Sequence, residues 1–278
     1  MQDAAHAASY AGCVLLAQIS DLHITEPGQR VCGRVDTGAY LRRCVTRLGA
    51  LATAPDAVIV TGDLVDRGTI REYETLRELL ASLAMPVYLL LGNHDDRAAF
   101  RAVFGDAPYL RAAGDHVQYA FDLGALRVLA LDTHDPGHSG GRLCATRRAW
   151  LAHELDAARD RAVVIAMHHP PFATGIPFMD RCGLDRDDAV ALAAIVARHP
   201  NVERVICGHL HRSIHARFAG TIASTAPSCA HQLALGFTPD ATAGFTFEPP
   251  AFVQHLWINA ALVSHHTQID PFDGPFAF

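Results

Sequence analysis

Lysine is absent from this 278-residue chain, and all 23 basic residues are arginine. Without lysine, a chain cannot use Schiff-base catalysis, anchor pyridoxal phosphate or form a P-loop. No apolar run approaches the ~18 residues of a membrane span, and the first run, residues 14–19, is too short for a signal-peptide core. We therefore expect a cytoplasmic protein that does not enter a membrane.

The chain is also poor in charge of either sign. Charged residues make up 19% of it, half of it is apolar, and the net charge is −6. This composition is typical of a globular protein and argues against binding to a nucleic-acid polymer. The seven cysteines are an odd number without C-x-x-C spacing, which favours reduced thiols over a disulfide framework.

Short apolar runs alternate with segments of helical periodicity as far as residue 211. The runs predict strands at 14–19, 57–60, 87–91, 117–123, 126–131, 162–167 and 205–207. Helices are predicted at 37–51, 69–83, 97–104, 146–158 and 185–198, the last capped by Asp185. Alternating strands and helices indicate an α/β fold.

The composition changes near Ala226, because the remaining residues contain six prolines and no arginine. A segment this short cannot form its own core, so it should pack on the main domain or on another subunit. We therefore predict a catalytic domain at 11–225 and a C-terminal cap or oligomerisation segment at 226–278. A homodimer or higher homo-oligomer is expected, since exposed apolar surface of this kind is usually an interface.

Polar residues follow five of the predicted strands, where ligands of α/β sheets converge. They are Asp21, His23, Asp63, Asn93, His94, His168, His209 and His211. Residues at i and i+2 of an extended segment face one side, so Asp21 with His23, and His209 with His211, can each present two ligands to one point. Oxygen and imidazole donors without thiolates suit first-row divalent metals, and two such ions serve phosphoryl chemistry.

These motifs resemble those of the calcineurin-like metallophosphoesterases. The matching blocks are D-x-H at 21–23, G-D at 62–63, G-N-H-D at 92–95, His168 and G-H-x-H at 208–211. The H-H-P-P and I-C-G-H-x-H segments resemble the bacterial branch of cyclic-nucleotide and glycerophosphodiester phosphodiesterases. The resemblance implies a four-layer α/β/β/α sandwich of two mixed sheets.

The resemblance also implies how the site works. Asp21, His23, Asp63 and His211 would bind one ion, and Asp63, Asn93, His168 and His209 the other, with Asp63 bridging. A hydroxide activated by the two ions would attack a phosphodiester, while His94 contacts the phosphate as the catalytic acid. Iron or manganese is expected, with zinc or cobalt as alternatives. His169 is a less favoured ligand than His168.

Several alternatives stay open at this point. G-x-S-x-G at 137–141 matches the serine-hydrolase elbow, but no strand ends and no helix begins next to Ser139. A phosphomonoesterase, a protein phosphatase, a nuclease or a non-catalytic metal-binding scaffold would share the fold. A small-molecule phosphodiester is the preferred substrate, because no lysine is available to balance a monoester dianion.

Overall fold

The computed structural model describes residues 12–111, 113–241 and 243–277. Thirteen strands are found in this part of the chain. They are β1 (Val14–Ile19), β2 (Ala57–Thr61), β3 (Val87–Leu90), β4 (Tyr119–Leu123), β5 (Leu126–Ala130), β6 (Ala162–Ala166), β7 (Val202–Cys207), β8 (Ile214–Phe218), β9 (Thr221–Thr225), β10 (Gln232–Leu233), β11 (Phe245–Thr246), β12 (Ala251–Ile258) and β13 (Ala261–Gln268).

The helices match the segments of helical periodicity. They are α1 (Thr37–Gly49), α2 (Ile70–Leu80), α3 (Arg97–Phe104), α4 (Ala145–Ala157) and α5 (Arg186–Val196), with short 3₁₀ turns at Pro108–Leu110 and Met179–Arg181. Asp185 caps α5 as predicted, accepting hydrogen bonds from the first backbone N–H groups. None of the helices in the described ranges is long and apolar enough to cross a membrane.

The large strands form two mixed sheets. The first has the order β13-β12-β1-β2-β3, with β1, β2 and β3 parallel and the C-terminal pair antiparallel. The second has the order β4-β5-β6-β7-β9-β8, with parallel pairing from β5 through β9 and antiparallel edge strands. In both sheets the central parallel strands end at the same edge, where the polar loops begin.

Apolar side chains alternate between two cores, which gives the molecule four layers. Val128 and Ala130 of β5 join the core between the sheets, together with residues such as Ile59 of β2. Leu129 of the same strand faces the other way and packs against helices α4 and α5 through Leu151 and Leu192. The predicted four-layer α/β/β/α architecture of two mixed sheets is confirmed.

The C-terminal segment contributes to two parts of the molecule. Strand β12 pairs with β1 over five residues and so extends the first sheet, and β13 forms its edge. The preceding residues form the small β10–β11 ribbon and border the polar loops. The domain division near residue 225 stays a prediction, and Ala11, its proposed first residue, lies outside the described residues.

Candidate metal centre

The loops that follow the central strands have an unusual backbone conformation. Five of the eight predicted site residues have positive φ, between 45° and 71°. These five are Asp21, His23, Asp63, His209 and His211. Residues other than glycine adopt this left-handed region at a cost, and they concentrate at functional sites. The backbone is therefore strained where the polar side chains meet.

Glycines in the motifs allow these loops to approach one another closely. A Cβ on Gly92 would lie 2.3 Å from Oδ1 of Asp63 and 2.7 Å from Nε2 of His168. A Cβ on Gly208 would lie 2.2 Å from Oγ of Ser20. No side chain fits at these distances, so glycine at both positions is needed for the loops to converge.

The carboxylate of Asp63 lies at the centre of the cluster. Its Oδ2 is 3.5 Å from Nε2 of His23 on one side and 3.4 Å from Nε2 of His168 on the other. Its Oδ1 accepts a hydrogen bond from the backbone N–H of His94. Nε2 of His168 is also 3.2 Å from Oδ1 of Asn93. Asp63 thus stands between two groups of donors.

The first group consists of Asp21, His23, Asp63 and His211, whose ligand atoms all lie within 4.8 Å of one another. Nε2 of His23 is 3.1 Å from Nε2 of His211, which is itself 3.6 Å from Oδ1 of Asp21. Nδ1–H of His211 donates to the carbonyl oxygen of His231, so its Nε2 is left as a lone-pair donor facing the others.

In the second group, His168 is oriented in the same way. Its Nδ1–H donates to the carbonyl oxygen of Thr61 at 2.8 Å, and its Nε2 faces the oxygens of Asp63 and Asn93. Such a bond to the second ring nitrogen is how metal-binding histidines are held. His209 completes the group, with its ring centroid 5.1 Å from that of His168.

The protonation states fit a site for cations. Burial lowers the pKa of His209 and of His211 to about 3, so both rings are neutral at neutral pH. Burial also acts to lower the pKa of His168, but Asp63 outweighs it and raises that pKa to about 9. The same negative charge that favours a proton on His168 would also attract a metal ion.

Three buried atoms of the cluster also lack hydrogen-bond partners among the described residues, namely Oδ2 of Asp21, Nδ1 of His23 and Nε2 of His209. Buried polar atoms left unpaired are costly, and bound ions would satisfy those of Asp21 and His209. Converging acceptors, neutral imidazoles and unpaired ligand atoms together fit divalent metal ions.

His169 lies beside this group but is occupied elsewhere. It falls within 4.8 Å of His168 and His209, so position alone would allow it to be a ligand. Its Nδ1, however, accepts from the hydroxyl of Thr133, and its Nε2–H donates to the carbonyl oxygen of Ser139. With both nitrogens used, His169 anchors the 133–139 loop.

His94 lies at the solvent side of the centre. Its side chain is 40% exposed, and its ring packs edge-on against His23 at 4.5 Å. Nδ1–H donates to the carbonyl oxygen of Asp66, which leaves Nε2 for a substrate. The Asp66 carboxylate is 3.6 Å from Nδ1 of His23, so this residue, absent from the sequence prediction, supports both histidines.

Two buried carboxylates outside the predicted set hold the loops in place. Asp95 accepts hydrogen bonds from the backbone N–H groups of Leu64 and Gly92 and from the Tyr73 hydroxyl. Asp132 accepts a bidentate hydrogen bond from Arg97. Asp95 therefore connects the loop after β2 to the loop after β3, whereas Asp132 fixes the loop after β5.

A cavity of about 330 Å³ opens over the cluster. It is lined by site residues, by Ser139 and by the C-terminal residues His231, Leu233 and Phe245. His231, whose ring is 4.7 Å from that of His211, was missed because no strand or motif precedes it. A larger cavity, of about 640 Å³, lies between α1 and residues 269–275 but contains none of the site residues.

The serine-hydrolase alternative does not match the geometry around Ser139. Strand β5 ends at Ala130 and helix α4 begins at Ala145, so the serine lies in the middle of a loop. A nucleophile elbow needs a strand directly before the serine and a helix directly after it. The G-x-S-x-G pattern is therefore a coincidence of a glycine-rich loop.

Comparison with known proteins gives the family. Residues 14–213 match the model described as calcineurin-like phosphoesterase. A probable glycerophosphodiester phosphodiesterase of Arcobacter nitrofigilis is 33% identical over 270 residues, covering 95% of this chain and 97% of that one. A probable cyclic nucleotide phosphodiesterase of Rhodopseudomonas palustris is 34% identical over 261 residues, covering 92% and 93%.

Solved structures agree on the fold. A dimetal phosphatase from Danio rerio superposes with a TM-score of 0.64 at 14% identity, covering 92% of this chain and 96% of that one. A purple acid phosphatase from yellow lupin gives a TM-score of 0.68 at 14% identity, covering 92% and 52%. At this identity the likeness concerns the fold, while the sequence match over 200 residues decides the family. The chain belongs to the calcineurin-like phosphoesterases.

Proposed function

We propose that this protein hydrolyses phosphodiesters with the help of two divalent metal ions. The observation that carries the proposal is the position of Asp63, whose Oδ2 lies between His23 and His168 at 3.5 and 3.4 Å. A single carboxylate flanked by two sets of oxygen and imidazole donors is suited to two neighbouring ions.

Each ion would be held by residues of one group. Asp21, His23 and His211 would hold the first and Asn93, His168 and His209 the second, with Asp63 shared. When bound, the two ions would activate a water molecule and polarise the phosphoryl group. Iron or manganese are the proposed metals, with zinc or cobalt as alternatives, because the ligands are oxygens and imidazoles without thiolate.

His94 is proposed to protonate the leaving oxygen. Its Nδ1–H is held by the Asp66 carbonyl, so Nε2 is the atom that can reach a substrate in the cavity. We expect His94→Ala to retain both ions and to lower kcat by ~10²–10⁴, the scale of a lost acid–base group. His138→Ala, which removes an exposed histidine outside the cavity, is the matched control. Loss of metal in His94→Ala would show that His94 is a ligand.

Phosphodiesters are proposed over monoesters. Two divalent ions together with the carboxylates of Asp21 and Asp63 have a net positive charge, which an anionic substrate balances. A monoester dianion would gain from a further cation, but no arginine lines the described part of the cavity and the chain has no lysine. The names of the relatives support two candidates, glycerophosphodiesters and 3′,5′-cyclic nucleotides.

The experiment compares kcat/KM for bis(p-nitrophenyl) phosphate, p-nitrophenyl phosphate, cyclic AMP and glycerophosphoethanolamine at one metal loading. We expect the diester to be preferred over the monoester. A preference for p-nitrophenyl phosphate would contradict the assignment. Turnover of glycerophosphoethanolamine without turnover of cyclic AMP would identify the glycerophosphodiesters as the substrates.

We also propose that the protein is a cytoplasmic homo-oligomer. The location is supported by the seven cysteines, whose odd number without C-x-x-C spacing is typical of reduced proteins. Association is supported by exposed aromatic side chains in the C-terminal segment, where Phe272 and Phe276 are 65% and 79% exposed. Light scattering that gives the mass of one chain would contradict the oligomer.

A further inference from the structure

The cavity over the metal centre has a polar floor and apolar walls. One wall contains Phe245 and Leu233, and Phe245 packs in a small hydrophobic cluster with Val31 and Val35. The other wall contains Phe178 and Met179, and Met179 belongs to a separate small cluster, against which Leu233 also packs. Both walls are thus held by small clusters apart from the two main cores.

The β10–β11 ribbon forms the first of these walls. Leu233 and Phe245 are directly opposite each other in this antiparallel pair, so their side chains lie on the same face. The ring of Phe245 packs at right angles to the ring of His231, at 5.2 Å, and His231 contacts His211. A row of rings therefore leads from the metal centre out along the cavity wall.

Phe178 completes the opposite wall at the mouth. It lines the cavity although 43% of it is exposed to solvent, and the guanidinium carbon of Arg181 lies over its ring, 5.8 Å from the centroid. The thiol of Cys182 beside it already donates to backbone carbonyl oxygens of Phe178 and Met179. This wall offers apolar contact rather than free hydrogen-bond donors.

Cations are kept out of the cavity. Arg212, which follows a predicted ligand, is bound to both carboxylate oxygens of Glu248 and to the carbonyl oxygen of Leu233. Arg97 is bound to Asp132. The carboxylate of Asp66 lines the cavity and carries negative charge. A second anionic group on a substrate would meet no arginine among the described residues that line the cavity.

From these contacts we propose that the cavity favours phosphodiesters whose second arm is apolar or aromatic over those whose second arm is anionic. The arm that does not leave lies between the Phe245–Leu233 and Phe178–Met179 walls, while the phosphate faces the metal centre. This inference rests on the proposed phosphodiesterase function. It adds to that function the residues that choose between substrates.

The test uses diesters with one leaving group and different second arms. Methyl, phenyl and 4-carboxyphenyl esters of p-nitrophenyl phosphate are compared by kcat/KM in the metal-loaded enzyme. We expect phenyl to be preferred over methyl by about tenfold, which burial of only about 55 Å² of ring surface supplies. The carboxyphenyl ester should lose most of this gain.

Variants of the wall residues distinguish contact with the wall from differences in the chemical reactivity of the esters. Phe245→Ala and Leu233→Ala should each lower kcat/KM for the phenyl ester several-fold more than for the methyl ester. Phe276→Ala, which removes an equally large but 79% exposed ring outside the cavity, should leave the phenyl-to-methyl ratio unaltered. Phe178→Arg, at the exposed mouth, should raise the carboxyphenyl-to-phenyl ratio about tenfold.

The outcomes are distinguishable from failure of the proposed function. If no diester is hydrolysed, the function itself is wrong. If diesters are hydrolysed but Phe245→Ala and Leu233→Ala leave the phenyl-to-methyl ratio unchanged, the arm pocket is wrong and the function stands. An equal fall for both esters would show that this wall does not contact the second arm selectively and would also overturn the proposal.

Discussion

Replacing Gly92 by alanine should damage the metal centre although no proposed ligand is replaced. The new Cβ would lie 2.3 Å from Oδ1 and 2.4 Å from the backbone nitrogen of Asp63, and 2.7 Å from Nε2 of His168, whereas ordinary contact begins at 3.4 Å. Asp63 must therefore move by about 1 Å, a displacement that costs ~10²-fold in rate. The φ of Gly92 is one that alanine can adopt, so the effect comes from contact alone.

The assay is kcat for bis(p-nitrophenyl) phosphate at saturating Mn²⁺, together with metal content per chain. Gly49→Ala is the matched control, because Gly49 is the exposed last residue of α1 and a Cβ there meets nothing within 4 Å. It should be fully active. If Gly92→Ala also keeps its metal and its kcat falls less than about threefold, activity does not depend on the observed position of Asp63, and the two-ion arrangement is wrong.

Two further variants test what supports the site. Burial acts to raise the pKa of Asp132, but Arg97 outweighs it and holds that pKa below 3.8, so the unfolded state takes up the proton first as the pH falls. The stability that Asp132 contributes is therefore complete at pH 7 and is lost below about pH 4. We expect Asp132→Asn to lower the free energy of unfolding, measured with urea, by about 3–5 kcal/mol at pH 7. An equal loss at pH 7 and at pH 3 would contradict this. Gln18 donates to Thr61 and to the carbonyl oxygen of Cys207 and accepts from His255, so Gln18→Leu should cost about 2–4 kcal/mol. The double variant with His255→Leu should cost clearly less than the sum of the two single changes, and strict additivity would exclude the coupling.

The parts of the fold that depend on local pattern could be predicted from sequence. Continuous apolar runs predicted the parallel strands except β9, because these strands are buried on both faces, and helical periodicity predicted all five helices. Strand β12 was not predicted, because its register places His255 in the core. That histidine is acceptable there only because both ring nitrogens have partners. Nε2–H donates to Oε1 of Gln18, which lies 237 residues earlier in the chain, and Nδ1 accepts from the hydroxyl of Ser264.

The site residues also divide into those that local pattern predicts and those that long-range folding brings in. The predicted ligands stand at strand ends, so topology alone brings them together. His231 and Phe245 were missed because both reach the cavity through long-range folding of the C-terminal segment, and Asp66 was missed because it lies outside the G-D motif at 62–63. Asp95 was seen as part of a motif, but its task of connecting two loops depends on the buried hydroxyl of Tyr73.

The most direct test of the two-metal proposal is a metal titration of the chelator-stripped protein. Mn²⁺ is added in measured equivalents, and turnover of bis(p-nitrophenyl) phosphate is followed together with bound metal. Since Asp63 lies between two groups of donors, we expect no activity in the stripped protein and a maximum at two bound ions per chain. Full activity with no bound ion, or with one, would contradict the proposal.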